Sequence, residues 1–204
     1  MAPRNPSPAR RWLLLLAAWV LTLALPLAVP AEPQGEGTDL QALMQLLAQR
    51  KHGHVTYVEE HFIGTLDRPL TSSGELLYEA PDRFEKRTLR PKPETLIVEH
   101  GIITVHRGRH TIVLDLASYP QIVPLIDSIR ATLAGDLPSL EQRFAVVLQG
   151  NLDGWRLSLT PHEVSVTQTV KQIEIQGSRG DLKTVEIRQA DGDRSRLTLG
   201  AELP

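Results

Sequence analysis

The chain contains no cysteine, and aromatic residues make up only 4% of its 204 positions. Without cysteine there is no disulfide framework, no thiol nucleophile and no sulfur ligand for a metal. Basic residues are not in excess, because 22 Lys and Arg stand against 24 Asp and Glu. This balance argues against general nucleic-acid binding, which requires a basic surface. The sequence also lacks a Gly-x-Ser-x-Gly elbow, a phosphate-binding loop and a dinucleotide fingerprint, so we expect neither an enzyme nor a bound cofactor.

The first 31 residues have the pattern of an export signal. Arg4, Arg10 and Arg11 form a positively charged start, and the run from Trp12 to Leu25 is apolar. The run is shorter than the roughly 20 residues of a membrane-spanning helix. A cleavable signal peptide is therefore the better interpretation, with an uncleaved anchor as the alternative.

Small residues before Glu32 place the predicted cleavage site in front of that residue. We predict a signal peptide over residues 1–31, a flexible leader over 32–37 and a single domain over 38–204. The predicted signal peptide contains three arginines and no acidic residue, so the exported chain is more acidic than the whole chain, whose net charge is −2. Export without cysteine is typical of the bacterial periplasm, where we expect the soluble product.

Beyond residue 50, apolar and polar residues alternate in one segment after another, separated by turn residues such as Pro81-Asp82 and His100-Gly101. Alternation with period two predicts antiparallel strands that bury one face. Eleven strands are predicted, at about residues 55–66, 73–80, 83–90, 94–99, 102–106, 110–116, 144–150, 155–160, 170–177, 182–190 and 195–200. In the first of these, Val58, Phe62 and Leu66 share the apolar face.

Apolar spacing of three or four residues predicts three helices. The first begins at Thr38, where Gln41 completes a capping box, and is ended by Gly53. The others cover about residues 122–133 and 138–143. Three helices are too few to cover the apolar face of eleven strands, so part of that face is predicted to be left for a ligand.

The order and spacing of several short motifs resemble one known family. They are Gly64-x9-Gly74-Glu-Leu-Leu-Tyr-x2-Pro81-Asp-Arg-Phe84, then Pro93-Glu-Thr-Leu-Ile-Val-Glu-His-Gly101, and Ile-Arg-Gln-Ala-Asp-Gly-Asp-Arg at 187–194. The chain resembles the periplasmic outer-membrane lipoprotein carriers of the LolA type. The resemblance implies a mainly β (α+β) fold, an incomplete antiparallel barrel of about eleven strands. In that fold about three helices form a lid over an apolar cavity for acyl chains.

Two positions depart from the pattern of that family. Its carriers place Arg before the Pro of the Pro-x-x-Phe strand, where this chain has Ala80, and favour Trp where it has Lys86. The resemblance links that Arg with lipoprotein handling and with control of the lid. The departure therefore keeps open a cargo other than a lipoprotein.

Candidate site residues follow from the apolar faces and the basic turns. We predict that the cavity is lined by Val58, Phe62, Leu76, Tyr78, Ala80, Phe84, Leu96, Val98, Ile112, Leu114, Ile122, Ile126, Ile129 and Leu133. A basic patch for docking a partner is formed in one interpretation by Lys86, Arg87, Arg90, Arg107 and Arg109. The alternative is an ordinary charged face that discourages edge pairing.

The seven histidines do not form a complete set of metal ligands with any cysteine or carboxylate at a fixed spacing, so no metal site is predicted. The predicted function is that of a periplasmic carrier that binds acyl chains of lipoproteins or a related lipid and delivers them toward the outer membrane. Its expected partners are an inner-membrane exporter and an outer-membrane acceptor, with only peripheral membrane contact, and the protein is expected to be a monomer. The alternatives are a carrier for another acylated product and a lipid-sensing interaction module.

Overall fold

The structure is a computed structural model that describes residues 36–119 and 123–204. The predicted signal peptide, the leader up to residue 35 and Ile122 lie outside these residues. The helices are α1 (Glu36–Ala48), α2 (Val123–Ala134), α3 (Leu137–Arg143) and α4 (Val164–Thr167). The strands are β1 (His52–Phe62), β2 (Leu70–Glu79), β3 (Arg83–Arg90), β4 (Glu94–Glu99), β5 (Ile102–Arg107), β6 (His110–Asp115), β7 (Phe144–Asn151), β8 (Gly154–Pro161), β9 (Val170–Ser178), β10 (Asp181–Gln189) and β11 (Arg194–Glu202).

All eleven strands belong to one antiparallel sheet with the order β6-β5-β4-β3-β2-β1-β11-β10-β9-β8-β7. Strands that follow each other in the chain are neighbours, except for β6 and β7, and the pairing of β1 with β11 joins the two halves of the chain. Within the described residues β6 and β7 form the open edges. The predicted incomplete barrel of eleven strands is confirmed.

Pairing in register fixes which side chains share a face of the sheet. Val55 on β1 is opposite Leu76 on β2, which is opposite Lys86 on β3. Directly paired residues of an antiparallel sheet lie on the same face. We call the face that carries these residues, and that the helices cover, the inner face. On the outer face, carboxylates stand beside arginines, as Glu85 does beside Arg83 and Arg87.

Two separate apolar cores fill the inner face. One lies over β7–β10, where Leu43 and Leu47 of α1 pack with Leu157 and Ile175 of the sheet. The other lies over β3–β6, where Val123 and Ile126 at the start of α2 pack with Val98, Ile103 and Leu116. The middle of the inner face, formed by β11, β1 and β2, lies between the two cores.

The apolar face predicted for β1 is wrong. Val55 and Tyr57 lie on the inner face, and Tyr57 is 2% exposed, whereas Val58 is 46% exposed on the outer face. Phe62 shares that outer face and packs against the guanidinium of Arg194. The sequence misleads here because the inner positions beyond Tyr57 are polar, so the apolar residues of this segment are the outer ones.

The helices agree with the sequence in position but differ at their ends. α1 begins at Glu36, two residues before the predicted cap at Thr38, and ends at Ala48. The one-turn helix α4 and a short 3-10 helix at Leu116–Ser118 were not predicted. In the described ranges, no helix combines the length and the apolar character needed to cross a membrane.

Gly135 allows α2 to approach α1 closely. It has a φ of +66°, and a Cβ built on it lies 2.1 Å from the main-chain oxygen of Met44. Gly108 has a similar φ of +61°, but within the described residues nothing lies within 4 Å of its Cβ position. Both glycines thus have a left-handed backbone conformation, and only Gly135 also has no room for a Cβ atom.

We therefore expect Gly108→Ala to lower the free energy of unfolding by about 1 kcal/mol, the cost of a left-handed alanine. Gly135→Ala has the same backbone cost and also overpacks the helix contact, so its loss is larger by about 2 kcal/mol. Urea denaturation of both variants measures the difference. Equal losses in the two variants would contradict the close contact between α1 and α2.

Candidate functional site

An apolar cavity of about 280 Å³ lies between α2 and the middle of the inner face. We call it the large cavity. Its apolar walls are formed by Val55, Leu76, Leu77, Tyr78, Phe84, Ile129, Leu133, Leu182, Val185, Leu197, Leu199 and Ala201. A charged rim borders it, in which Arg50 bonds to Asp181 at 2.5 Å and lies 3.6 Å from Glu202. The large cavity thus has an apolar interior and a charged border.

A second cavity of about 190 Å³ lies against the first half of α2. We call it the small cavity. Leu96, Val98, Leu116 and Ile126 supply its apolar wall. Its polar residues are Asp82, Asp127 and Arg130. Arg130 donates to Asp127 at 2.9 Å, so the two charges of α2 are already paired.

The two cavities share four lining residues, Tyr78, Phe84, Ile129 and Leu133. The large cavity alone is nearly twice the size of an apolar cavity of about 150 Å³ that stays dry and binds benzene. Taken together, the two cavities fall in the range of roughly 300–1,000 Å³ that is typical of small-molecule sites. The arrangement is chemically suited to a branched or bent hydrocarbon, since apolar walls continue from one cavity into the other past Ile129 and Leu133.

The structure brings together eight of the predicted lining residues: Leu76, Tyr78, Phe84, Leu96, Val98, Ile126, Ile129 and Leu133. Whether they touch a ligand stays a prediction. Their common signal was alternation in β2–β4 and helical spacing in α2, and both patterns point to the same side of the sheet.

Five of the other predicted lining residues lie elsewhere, and Ile122 is outside the described residues. Val58 and Phe62 are on the outer face, and Ala80 borders a groove with His52, His54 and Glu79. Ile112 is half-exposed on the edge strand β6, while Leu114 packs into the core that Ile126 of α2 also contacts.

Sequence reasoning missed the wall formed by β10 and β11. Leu182, Val185, Leu197 and Leu199 line the large cavity, and Val55 of β1 completes this side. Alternation of Leu197 and Leu199 was visible in the sequence, but the pairing of β1 with β11 was not. Only that pairing sets these leucines beside Leu76 of β2.

The basic residues predicted to form a docking patch do not share one surface. Lys86 and Arg87 are neighbours on β3 and so lie on opposite faces, Lys86 on the inner and Arg87 on the outer. Arg87 donates to Glu85 at 2.5 Å, and Arg107 donates to Glu94 at 2.5 Å. Arg90 and Arg109 are exposed at strand ends. Partner docking by the exposed members stays a prediction.

Lys86 belongs to a polar cluster inside the sheet, which we call the Glu59 cluster. The Glu59 carboxylate is 12% exposed and accepts from Lys86 Nζ, from Ser195 Oγ at 2.9 Å and from Ser72 Oγ at 3.2 Å. His61 Nε2 lies 3.2 Å away. The Lys86 ammonium also lies 5.1 Å from the centre of the Tyr57 ring. Every member of the cluster has a partner, as buried polar groups require.

Opposing effects set the pKa of Glu59. Burial raises the pKa, but the charge and hydrogen bond of Lys86, the charge of His61 and the hydrogen bond of Ser195 outweigh burial and hold it below its ordinary value. The Glu59 carboxylate is thus ionised at neutral pH. The polar groups of the cluster already have hydrogen-bond partners, so the cluster has the features of a structural link between β1, β2, β3 and β11.

The Tyr78 hydroxyl differs from these groups. Tyr78 is 8% exposed, and no polar atom in the described part of the chain hydrogen-bonds to its hydroxyl. Burial raises the pKa of Tyr78, Asp82 raises it further and Arg130 opposes them, so the phenol stays protonated. Within the described residues, a side chain whose buried donor has no partner thus lines both apolar cavities.

The histidines take local partners. His54 lies 3.1 Å from Glu75, and His106 lies 3.0 Å from the Thr111 hydroxyl. Over the described ranges, no three His, Asp or Glu residues are grouped so that they could hold a metal ion.

A family model described as outer membrane lipoprotein carrier protein LolA-like matches residues 31–202. The chain belongs to this LolA-like family. None of the curated proteins matches the sequence.

Solved structures with the same fold are distant in sequence. A DUF1329 family protein from Desulfovibrio piger is 12% identical, with a TM-score of 0.50 over 81% of this chain and 90% of that chain. A LolA superfamily protein from Nitrosomonas europaea is 10% identical, with a TM-score of 0.46 over 81% and 95%. The MucA/MucB complex of Pseudomonas aeruginosa gives 15% identity and a TM-score of 0.45 over 81% and 59%. Likeness at this level concerns the fold alone.

Removing the cation of the Glu59 cluster has a pH-dependent cost. The depressed pKa of Glu59 gives stability that is present above its unfolded pKa of about 4.3 and is lost as the pH falls through the folded value. In Lys86→Met, burial dominates and raises the folded pKa. We expect Lys86→Met to lose about 2 kcal/mol at neutral pH and less at about pH 3, where Glu59 of this variant is protonated in both the folded and the unfolded chain.

Urea denaturation at both pH values measures this loss. The control is Lys86→Met in a Glu59→Gln background, where no carboxylate titrates, so the deficit of the double variant relative to Glu59→Gln alone should stay constant with pH. His61 is present in both variants. A Lys86→Met deficit that is the same at both pH values would contradict the assignment of Lys86 as the charge partner of Glu59.

Proposed function

We propose that the protein is a periplasmic carrier that binds the acyl chains of lipoproteins or a related lipid and delivers them toward the outer membrane. The observation that carries the proposal is the apolar hollow between the two cores, where α2 faces β1, β2, β10 and β11. Membership of the LolA-like family supports it. The inner face has more apolar surface than its own helices cover, and hydrocarbon is the matching ligand.

The energetics of hydrocarbon burial favour capture. Each buried methylene contributes roughly 0.8 kcal/mol, so an acyl chain of about a dozen carbons contributes on the order of 10 kcal/mol before the costs of binding. The walls are mostly aliphatic, as in the set of Leu76, Leu197 and Leu199. Aliphatic walls adapt to a flexible chain, which needs no fixed stacking geometry.

Tight capture makes spontaneous release slow, so delivery needs a receiver. We propose an outer-membrane acceptor that offers a better apolar site, and an inner-membrane exporter that loads the carrier. The proposed location between them is the periplasm, and the proposed signal peptide over residues 1–31 is the route there. Contact with the membranes themselves is peripheral in this proposal.

A second candidate function is carriage of an acylated product that is not a lipoprotein. The observation that favours it is Ala80, which stands where the family pattern has an arginine linked with lipoprotein handling. Ala80 borders a groove with His52, His54 and Glu79 and not the two cavities. The position that differs from the family pattern thus lies at this border, while the apolar interior still suits an acyl chain.

Filling the hollow tests the proposal. Ile129 borders both cavities, so Ile129→Trp places an indole between them. We expect this variant to bind an acyl ester at least about tenfold more weakly than the unchanged protein, with stability unchanged or raised. Displacement of the apolar dye N-phenyl-naphthylamine by methyl palmitate measures binding.

Val113→Trp is the matched control, because Val113 is 63% exposed and the substitution adds the same indole outside the hollow. Its affinity should equal that of the unchanged protein. Native mass spectrometry of protein purified from a double-membrane bacterium should also show an acyl or lipid adduct. Absence of the adduct together with no displacement of the dye would overturn the carrier proposal.

A further inference from the structure

Among the polar side chains that border the two cavities, Tyr78 is in an unusual position. It is one of four residues shared by both cavities, and the other three are Phe84, Ile129 and Leu133. Its hydroxyl, which is enclosed and unpartnered within the described residues, thus belongs to a side chain that lines both apolar spaces. The charges of Asp82 and Arg130 act on this hydroxyl, and both residues border the small cavity.

The hydroxyl has no structural use that the described residues reveal. Buried hydroxyls normally have partners, since leaving one without a partner costs free energy. Tyr57 shows the ordinary case on the same face, because its hydroxyl lies 2.8 Å from Thr88 Oγ1. In the described part of the chain no such partner is within reach of Tyr78. A group that stays unsatisfied in the empty site is a group that a ligand can satisfy.

The charges near Tyr78 indicate which ligand group this is. Asp82 and Asp127 supply two negative charges to the small cavity, and Arg130 supplies one positive charge. Arg130 is already paired with Asp127, which also lies 3.3 Å from Arg143. A ligand carboxylate or phosphate would have to compete with Asp127 for Arg130, which is the cation that lines the small cavity within the described residues. A neutral acceptor, such as the carbonyl of an ester or an amide, has no charge to be repelled by the two aspartates.

We propose that Tyr78 selects acylated ligands by donating a hydrogen bond from its hydroxyl to the neutral ester or amide carbonyl that joins the acyl chain to the rest of the molecule. The carbonyl lies at the junction of the two cavities, and the hydrocarbon extends along Leu182, Val185 and Leu197 in the large cavity. The polar remainder of the ligand lies toward Asp82 and Arg130. This inference rests on the proposed binding of acyl chains, and it adds which chemical group of the ligand the protein recognises.

The test compares two ligands that differ only in the carbonyl linkage. Methyl palmitate carries an ester, and the straight-chain alkane with the same number of heavy atoms carries none. Both are titrated as competitors of N-phenyl-naphthylamine. The alkane gains more free energy on leaving water than the ester does, so the preference for the ester is measured as the ratio of the two affinities. We expect this ratio to fall about tenfold in Tyr78→Phe, which corresponds to one hydrogen bond lost by the ester, while the affinity for the alkane is kept.

Tyr57→Phe is the matched control, since it also removes one buried phenol hydroxyl from the inner face. Because that hydroxyl is already bonded to Thr88, this variant should be less stable to urea but should keep the preference for the ester. Tyr78→Phe should unfold at the same or a higher urea concentration than the unchanged protein when no ligand is present.

The outcomes separate the two proposals. If neither ligand displaces the dye from the unchanged protein, the proposed carrier function fails. If Tyr78→Phe leaves the ratio of the two affinities unchanged, acyl binding stands and the role of Tyr78 is overturned. If palmitate itself competes better than its methyl ester, the protein recognises an anionic group, and the assignment to a neutral carbonyl is wrong.

Discussion

The molecule depends on a mismatch between one large curved sheet and the few helices that cover it. Eleven strands present one continuous inner face, but α1 fills it only over β7–β10, and the start of α2 fills it only over β3–β6. α2 packs closely against α1 through small residues, with Ala131 in the shared core and Gly135 against Met44. That contact holds α2 over one core and leaves Ile129 and Leu133 facing a hollow.

Polar groups on the inner face follow two different rules. Around Glu59 every charge and hydroxyl has a partner, so this end of β1 is a fixed joint between the two halves of the sheet. Near the hollow, Tyr78 has an unsatisfied hydroxyl within the described residues. The same fold thus contains one interior polar site whose groups all have hydrogen-bond partners and another whose donor, within the described residues, has none. Saturation favours a single rigid arrangement, whereas an unsaturated donor gains free energy only when something else enters.

The fold was predictable where local patterns agree with one another. Turn residues such as Pro81 and Gly101, together with alternation, placed β3–β5 correctly, and helical spacing placed α2. The inner face of β1 was not predictable from alternation, since its polar inner residues Glu59 and His61 are compensated by Lys86 from another strand. The wall from β10 and β11 depends on a pairing between distant ends of the chain. Long-range pairing and interior ion pairs leave no local trace in hydrophobic periodicity.

The two departures from the family pattern act at different depths of the structure. Lys86 lies on the inner face, where it neutralises Glu59 and covers Tyr57, so it belongs to the packing of the sheet. Ala80 borders the groove outside the cavities, so an arginine there would act at the border of the site and not on the hydrocarbon. The groove shares Leu77, Tyr78 and Glu202 with the large cavity, so its border adjoins the apolar interior. Under the proposed function, an unchanged interior beside an altered border is what we expect for an acyl cargo whose polar part differs from that of a lipoprotein.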